Sequence, residues 1–106
     1  MMDYKKRRSQ RQERRLAKEF GGKVQPGSGC GRVNKGDVKS EHFLIEAKRT
    51  DKKQYIFKLL DWETIRDRAL AVQKTPLMAL EIGNQRLVVV AEADLCVLAA
   101  ISQKIR

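Results

Sequence analysis

The spacing of apolar positions predicts a first helix near the start of the chain. Leu16 and Phe20 lie four residues apart within a run of good helix formers, which predicts a helix from Ser9 to Phe20. Gly21-Gly22 is expected to end it, because glycine readily takes the left-handed conformation common at helix C-termini. The apolar stripe is narrow, so we expect light docking, with the arginines turned to solvent or a ligand.

Two further helices are predicted in the second half of the chain. The first of them begins at Asp61 as an N-cap, with Leu60 and Ile65 spaced as a hydrophobic staple, and ends before Pro76. Its predicted apolar face is Trp62, Ile65, Ala69 and Val72. The last helix runs from about Glu92 to Lys104. It is predicted to bury Leu95, Leu98, Ala99 and Ile105.

Short apolar runs and alternating positions predict five strands between these helices. They are Lys23–Gln25, Phe43–Lys48, a brief extended segment at Tyr55–Leu59, Pro76–Ile82 and Leu87–Val90. Gly83-Asn84 predicts a hairpin turn between the last two. The order α-β-β-β-α-β-β-α predicts an α/β fold, of the α+β kind, with a mixed sheet in one domain over residues 9–106.

The strand from Phe43 to Lys48 is predicted to have two unlike faces. One face carries Phe43, Ile45 and Ala47, and the other carries Leu44, Glu46 and Lys48. An unpaired buried charge costs on the order of several kcal/mol. A carboxylate and an amine on a core strand therefore indicate chemistry on that face.

The positive charge of the chain is concentrated in its first half. The net charge is +10, with eight basic against three acidic residues in 1–20, nine against four in 21–58, and six against six in 59–106. A one-sided basic field suits a polyanion, either nucleic acid or an anionic membrane surface. No apolar run approaches the roughly 20 residues of a membrane span, and no secretory signal is expected. Residues 1–8 are expected to form a basic arm, with disorder as one alternative.

Residues 26–36, PGSGCGRVNKG, predict a flexible loop rather than a nucleotide-binding motif. Gly31 and Gly36 have the Walker spacing, but Asp37 stands where that motif requires lysine, and the GxGxxG pattern also fails. Arg32 and Lys35 would let the loop lie against a phosphate backbone. A plain turn is the alternative.

The cysteines and the histidine do not predict a metal centre. Cys30 and Cys96 form no CxxC pair, and His42 is the only histidine, so a zinc site would lack ligands. A disulfide stays open, but we expect reduced thiols and a cytoplasmic protein. His42 is expected at the surface. Tyr55 and Trp62 are expected to pack in the core, with base stacking as the alternative.

Asp37, Glu46 and Lys48 form a candidate catalytic group. Their spacing permits a β-hairpin whose first strand ends near Asp37 and whose second carries Glu46, so the two carboxylates would meet on one face. Two carboxylates, with water and phosphate oxygens, suit Mg²⁺, which activates water and neutralises charge on a phosphate. Lys48 would hold the attacking water or stabilise that charge. The alternative is a surface ion pair within the E-x-K stretch.

Four motifs follow one another in a specific order. They are ERRLAKEFGG at 13–22, PGSG at 26–29, KGDV at 35–38 and FLIEAKRT at 43–50, with a helix before Thr75-Pro76. Together they resemble the PD-(D/E)XK nuclease superfamily, in particular its Holliday junction resolvase-like branch of archaeal and phage proteins. The resemblance spans residues 13–82. It implies a restriction-endonuclease-like αβββαβ core, here followed by a C-terminal hairpin strand and helix.

The resemblance implies roles for the candidate group. Asp37 and Glu46 would be ligands of Mg²⁺, with Mn²⁺ as a substitute, and Lys48 would be the catalytic lysine. Gly36 precedes Asp37 where the family name has proline, a position at which many members vary.

The resemblance also implies roles outside the E-x-K strand. Glu13 on the first helix would face the site and assist the metal or its waters, with Glu19 as the alternative on the same helix. Ser28 would lie near the scissile phosphate as a further catalytic residue. Gln54 occupies a position where members often carry a polar residue near the site.

The expected substrate is branched DNA such as a four-way junction. A small nuclease without a sequence-reading domain has to recognise shape, and cutting a junction symmetrically requires a C2 homodimer. The C-terminal helix and hairpin are candidates for its interface. The expected DNA-binding residues are Arg7, Arg11, Arg14, Arg15, Arg32, Lys35, Arg49, Lys52 and Lys53. The alternatives are a non-catalytic nucleic-acid-binding protein and a less selective nuclease of the same superfamily.

Overall fold

A computed structural model describes residues 4–26 and 37–105 of the chain. The elements are α1 (Tyr4–Phe20), β1 (Lys23–Val24), β2 (Val38–Lys39), β3 (Phe43–Thr50), α2 (Leu59–Ala71), β4 (Thr75–Ile82), β5 (Gln85–Val90) and α3 (Glu92–Ile105). The predicted mixed α/β class is confirmed, and the order of helices and strands is the predicted one. No helix in the described part of the chain is long and apolar enough to cross a membrane.

The five strands form one sheet in the order β1-β2-β3-β4-β5. Neighbouring strands are antiparallel except β3 and β4, which run parallel. A parallel pair needs a long crossover, and α2 supplies it. The predicted hairpin at Gly83-Asn84 is confirmed, since the two residues join β4 to β5.

The two faces of the sheet are covered by different helices. On one face, α1 packs through Leu16, and the buried cluster there is Leu16, Val38, Ile45, Leu77 and Ala79, with Phe43 and Ala47 beside it. On the other, α2 packs through Ile65 and Ala69 against Leu44, Met78 and Leu80. The predicted grouping of Phe43, Ile45 and Ala47 on one face of β3 is confirmed.

Tyr55–Leu59 is predicted to form a brief strand or an extended approach, and the strand prediction is wrong. Residues 54–58 form no strand, and the additional strand is the short β2. Tyr55 packs against the α2-side cluster, whereas Ile56 and Leu59 are exposed. The apolar alternation here does not reflect burial, because the segment joins β3 to α2 instead of pairing with a sheet edge.

Helix α1 begins earlier than predicted, so the arm assigned to residues 1–8 is too long. The helix starts at Tyr4. Arg8 Nη1 donates to the Tyr4 hydroxyl at 2.6 Å and pairs with Asp51 Oδ1 at 2.8 Å. These contacts connect one side of the first two turns to the end of β3 and oppose fraying.

Gly21 and Gly22 end α1 in different ways. Gly21 has φ +66°, and the Gly22 amide donates to the Ala17 carbonyl at 2.7 Å, so the predicted stop is confirmed. Gly22 lies against β2: a Cβ atom there would be 2.5 Å from the Lys39 carbonyl oxygen. Only glycine allows this close approach between the end of α1 and the sheet.

The start predicted for α2 is wrong. The helix begins at Leu59, and its N-cap, Lys58, makes no side-chain capping bond. Asp61 lies inside the first turn, so Leu60 and Ile65 do not form the predicted staple. Ile65 and Ala69 of the predicted apolar face are buried and Trp62 is partly buried, whereas Val72 is exposed beyond the last turn.

Helix α3 has the predicted extent but not the predicted burial. Leu95, Leu98 and Ile101 are 54%, 45% and 50% exposed, and Ala99 is exposed as well. The side chain of Ile105 lies outside the described part of the chain. The helix follows the edge strand β5, and neither buried cluster contains a residue from it. Its apolar pattern therefore does not serve the core of this chain.

Candidate active site

Asp37 makes two hydrogen bonds to β3, one to the residue before Glu46 and one to the residue after it. Its amide donates to the Ile45 carbonyl at 2.8 Å, and its Oδ2 accepts a bond from the Ala47 amide at 2.7 Å. Ile45 is also the register partner of Val38, so two residues of one strand face one of the other, as in a β-bulge. The two hydrogen bonds hold the Asp37 carboxylate against the amide of Ala47, the residue next to Glu46 in β3.

This geometry corrects one detail of the predicted hairpin. β2 and β3 are antiparallel, but β2 begins directly after Asp37 rather than ending near it. The Asp37 carbonyl also accepts a bond from the Gln25 amide at 2.9 Å, beside β1. The residue is buried and held from both neighbouring strands.

Glu46 and Lys48 project from the face of β3 that α2 covers. The Lys48 Nζ atom lies 3.5 Å from Glu46 Oε2. The Glu46 side chain is only 13% exposed, whereas that of Lys48 is 37% exposed. The structure therefore brings Asp37, Glu46 and Lys48 together, with the lysine as the most accessible of the three.

The buried position of Glu46 changes its proton affinity. Burial, followed by the nearby charge of Asp37, raises the pKa of Glu46 from 4.5 to about 7, against the opposing effect of Lys48. Burial alone would lower the pKa of Lys48, but Glu46, Tyr55 and Asp61 together raise it. The amine therefore keeps its charge at neutral pH, where the Glu46 carboxyl, with a pKa of about 7, is partly protonated.

Asp61 and Tyr55 belong to the same electrostatic group, which the sequence interpretation missed. Asp61 acts on the proton affinities of Glu46 and Lys48, and it adds to burial in raising the pKa of Tyr55. Asp61 is predicted to be an N-cap, but it lies within the first turn of α2, near enough to Glu46 and Lys48 to raise the pKa of both. The signal that could have identified Asp61 is an acidic residue in the first turn of the helix that follows the E-x-K strand.

The chemistry of these residues fits a hard divalent cation. Within the described residues, Glu46 Oε1 is buried without a hydrogen-bond partner. A buried carboxylate oxygen usually has one, and a cation next to Asp37 and Glu46 would supply the missing interaction and offset their repulsion. Within residues 4–26 and 37–105, no group of three or more His, Cys, Asp and Glu side chains is placed so that it could hold a metal ion. Mg²⁺ suits a two-carboxylate site because it usually keeps several waters.

Helix α1 reaches the opposite side of the strand that carries Lys48. Gln12 is buried, and its Nε2 donates to the Lys48 carbonyl at 3.0 Å and the Ala79 carbonyl at 3.3 Å. Glu13 is the next residue and is partly buried, and its assignment to the site stays a prediction. Glu19 is 53% exposed and pairs with Arg15 at 3.0 Å. Gln54 is exposed.

The predicted DNA-binding residues fall into two groups. Arg7, Arg11, Arg14, Lys52 and Lys53 are exposed. The Arg49 side chain is only 7% exposed and pairs with Asp51 and Glu81, so it stabilises the fold and is not presented to a ligand. Arg15 also pairs with Glu81. Ser28, Arg32 and Lys35 lie outside the described residues.

Comparison with family models, with curated proteins and with solved structures finds no match for this chain. The resemblance to the PD-(D/E)XK nuclease superfamily therefore stays a prediction from the sequence motifs.

Proposed function

We propose that this protein is a metal-dependent endonuclease of the PD-(D/E)XK type that hydrolyses phosphodiester bonds in branched DNA. The observation that carries the proposal is the position of the Asp37 carboxylate beside the buried Glu46, with Lys48 3.5 Å from the glutamate. The basic excess of the first 58 residues supports a polyanionic substrate. The proposed location is the cytoplasm, or that of the host if a phage encodes the chain.

Each residue of the group has a distinct part in the proposed reaction. Asp37 and Glu46 would hold Mg²⁺, or Mn²⁺ in its place. The bound ion supplies a water of lowered pKa and neutralises charge that develops on the phosphate. Lys48, which is charged and 37% exposed, would orient the attacking water or stabilise the same charge. Release of the proton that Glu46 holds near neutral pH would accompany metal binding.

Selectivity for branched DNA is proposed from the resemblance of the sequence motifs to the Holliday junction resolvase-like branch. The described elements are one sheet and the helices next to it. Recognition would then depend on the shape of the DNA. Two symmetric cuts in a four-way junction would require two copies of the site.

Cleavage of labelled four-way junctions and of linear duplexes of the same sequence tests the proposal. We expect products only with Mg²⁺ or Mn²⁺, and faster cleavage of the junction. Equal rates on both substrates would support a less selective nuclease with the same site residues. Binding to both substrates without any cleavage would support the alternative of a non-catalytic nucleic-acid-binding protein.

The exposed face of α3 supports a homodimer as the active form. Leu95, Leu98 and Ile101 recur every three residues along the helix, and each leaves about half of its surface in water. Contiguous exposed apolar surface of this kind marks interaction sites. A second copy of the chain is the proposed occupant, because α3 has the same unpartnered face in each copy and a C2 interface is self-complementary.

Charge reversal on α3 tests the dimer. We expect wild-type protein to elute with twice the 12.2 kDa mass of one chain in size-exclusion chromatography with light scattering. The double variant Leu98→Glu/Ile101→Glu should be monomeric, because two carboxylates would have to be buried in the interface. Gln103→Glu, on an exposed position of the same helix, is the control and should remain dimeric. A monomeric wild type would refute the proposed interface.

A further inference from the structure

A basic cleft lies on the face of the sheet opposite Glu46 and Lys48. It is a cavity of about 460 Å³ between α1 and the turn that joins β4 to β5. Its charged and amide-bearing walls include Arg8, Arg11, Arg15, Asn84, Arg86 and Glu81. We refer to it as the arginine cleft. Glu81 shares its face of β4 with Leu77 and Ala79 of the α1-side cluster, which places the cleft on the α1 side.

Part of the charge around the arginine cleft is already balanced. Glu81 Oε1 lies 3.8 Å from Arg15 Nη2, and its Oε2 lies 3.6 Å from Arg49 Nε. Asp51 Oδ1 binds Arg8 at 2.8 Å and Arg49 at 2.9 Å. This network attaches α1 to β3 and β4. It therefore accounts for Arg8, Arg15 and Arg49 as structural residues.

Two arginines of the arginine cleft take no part in this network of ion pairs. Arg11 and Arg86 are exposed, and neither makes an ion pair with any residue in 4–26 or 37–105. Arg86 is the cross-strand partner of Glu81 in the β4–β5 hairpin, so it stands at the same level of the sheet as the network. The cleft therefore has two guanidinium groups that no described acid neutralises.

We infer that the arginine cleft binds a phosphate group of a DNA backbone. Guanidinium groups match phosphate oxygens with paired hydrogen bonds, and the Asn84 side chain can add a neutral donor. The ion-pair network of Arg8, Arg15 and Arg49 keeps the walls of the cleft in place behind them. Only the choice of DNA as the polyanion rests on the proposed function.

A phosphate site in this position would act at a distance from the cut. The arginine cleft and the candidate active site lie on opposite faces of the sheet, joined by α1, whose Gln12 also bonds to the Lys48 carbonyl. A branched substrate has more than one arm, and a second contact surface could hold an arm that is not being cleaved.

The test measures DNA binding in the background of Glu46→Gln, so that cleavage has no influence on it. Fluorescence anisotropy with a labelled four-way junction is recorded over a salt series for Arg11→Ala/Arg86→Ala. Each lost phosphate contact should lower affinity about eightfold at 0.1 M salt and reduce the log–log salt slope by about 0.9. Arg11→Lys/Arg86→Lys keeps the charges and should recover most of the affinity. Arg66→Ala is the control, because Arg66 lies exposed on α2 and pairs with Asp67.

Three results would overturn the inference. In the first, Arg11→Ala/Arg86→Ala binds the junction as tightly as Glu46→Gln alone. In the second, it loses no more affinity than Arg66→Ala. Alternatively, titration with inorganic phosphate could show binding that the alanine variant loses while its DNA affinity is unchanged, which would make the cleft a small-anion site. Absence of cleavage by the wild type would refute the proposed function without affecting any of these binding measurements.

Discussion

Glu46→Gln should reduce Mg²⁺-dependent cleavage on the order of a thousandfold, as expected for loss of one group that stabilises the transition state. Gln is nearly isosteric with protonated Glu, but it offers a metal no negative charge. DNA affinity should change little, because the substitution removes none of the exposed arginines. The measurement is single-turnover cleavage of a labelled junction, paired with anisotropy of the same DNA. Lys48→Met should also impair cleavage, but without weakening the response to metal.

The same variant should be more stable than the wild type above neutral pH. Glu46 has a folded pKa of about 7 against an ordinary value of 4.5, so the folded state binds its proton more tightly than the unfolded state. The contribution of Glu46 to stability is thus complete below about pH 4.5 and is lost as pH rises through 7. The loss amounts to at most about 3 kcal/mol, from 1.36 kcal/mol per pKa unit.

Urea unfolding of metal-free protein at pH 5 and pH 8 checks this effect. The wild type should lose stability between the two values, and Glu46→Gln should lose clearly less. Mg²⁺ should stabilise the wild type at pH 8 and leave the variant unaffected, because a ligand that binds only the folded state adds to its stability. Glu41→Gln, at an exposed position before β3, is the matched control. An identical pH dependence in wild type and Glu46→Gln would contradict the assigned environment of this carboxyl.

Gly22→Ala should destabilise the protein by about 3 kcal/mol, although it adds a single methyl group. The new Cβ would lie 2.5 Å from the Lys39 carbonyl oxygen and 3.0 Å from Ser40 Cα, and backbone cannot move aside as a side-chain tip can. Relief would require a shift of β2, whose preceding residue is Asp37. Urea unfolding measures the stability. Cleavage below the unfolding transition should fall as well, because the Asp37 carboxylate would be displaced.

Gly21→Ala separates this effect from backbone strain. Gly21 has φ +66°, which costs an alanine roughly 1 kcal/mol, but an added Cβ meets nothing within 4 Å. We therefore expect a modest loss of stability and normal cleavage by the folded protein. Equal losses for the two variants would mean that Gly22 is needed for its conformation rather than for contact with β2.

The parts of the fold that depend on local pattern could be predicted from the sequence. The alternation along Phe43–Thr50 placed Glu46 and Lys48 on one face, because side chains in a strand alternate with period two. The glycines after Phe20 and the turn at Gly83-Asn84 were also recognised, because their conformational preferences need no tertiary context. Asp37 could be grouped with Glu46 because a β-hairpin brings residues of its two adjoining strands close together.

The parts of the fold and of the candidate site that depend on contacts between distant residues could not be predicted from the sequence. Arg49 was predicted to face DNA, but it is buried by Glu81, a partner that β3–β4 pairing supplies. Asp61 has the residue type of a helix cap, and only the path from β3 into α2 brings it near enough to raise the pKa of Lys48. The periodicity of α3 shows that one side is apolar, but not whether the core of this chain or a second molecule covers it.

The bulge at Asp37 also bears on how the protein reaches its native state. The two carboxylates are nine positions apart in the chain and are joined by a single β-hairpin, so the loop that closes between them is short and its entropic cost is low. Neither helix has to be in place for that closure, since α1 and α2 only cover its two sides. The contact between Asp37 and the strand that carries Glu46 should therefore form early during refolding, and protection of the Ala47 amide from hydrogen exchange should precede protection of the β4 amides.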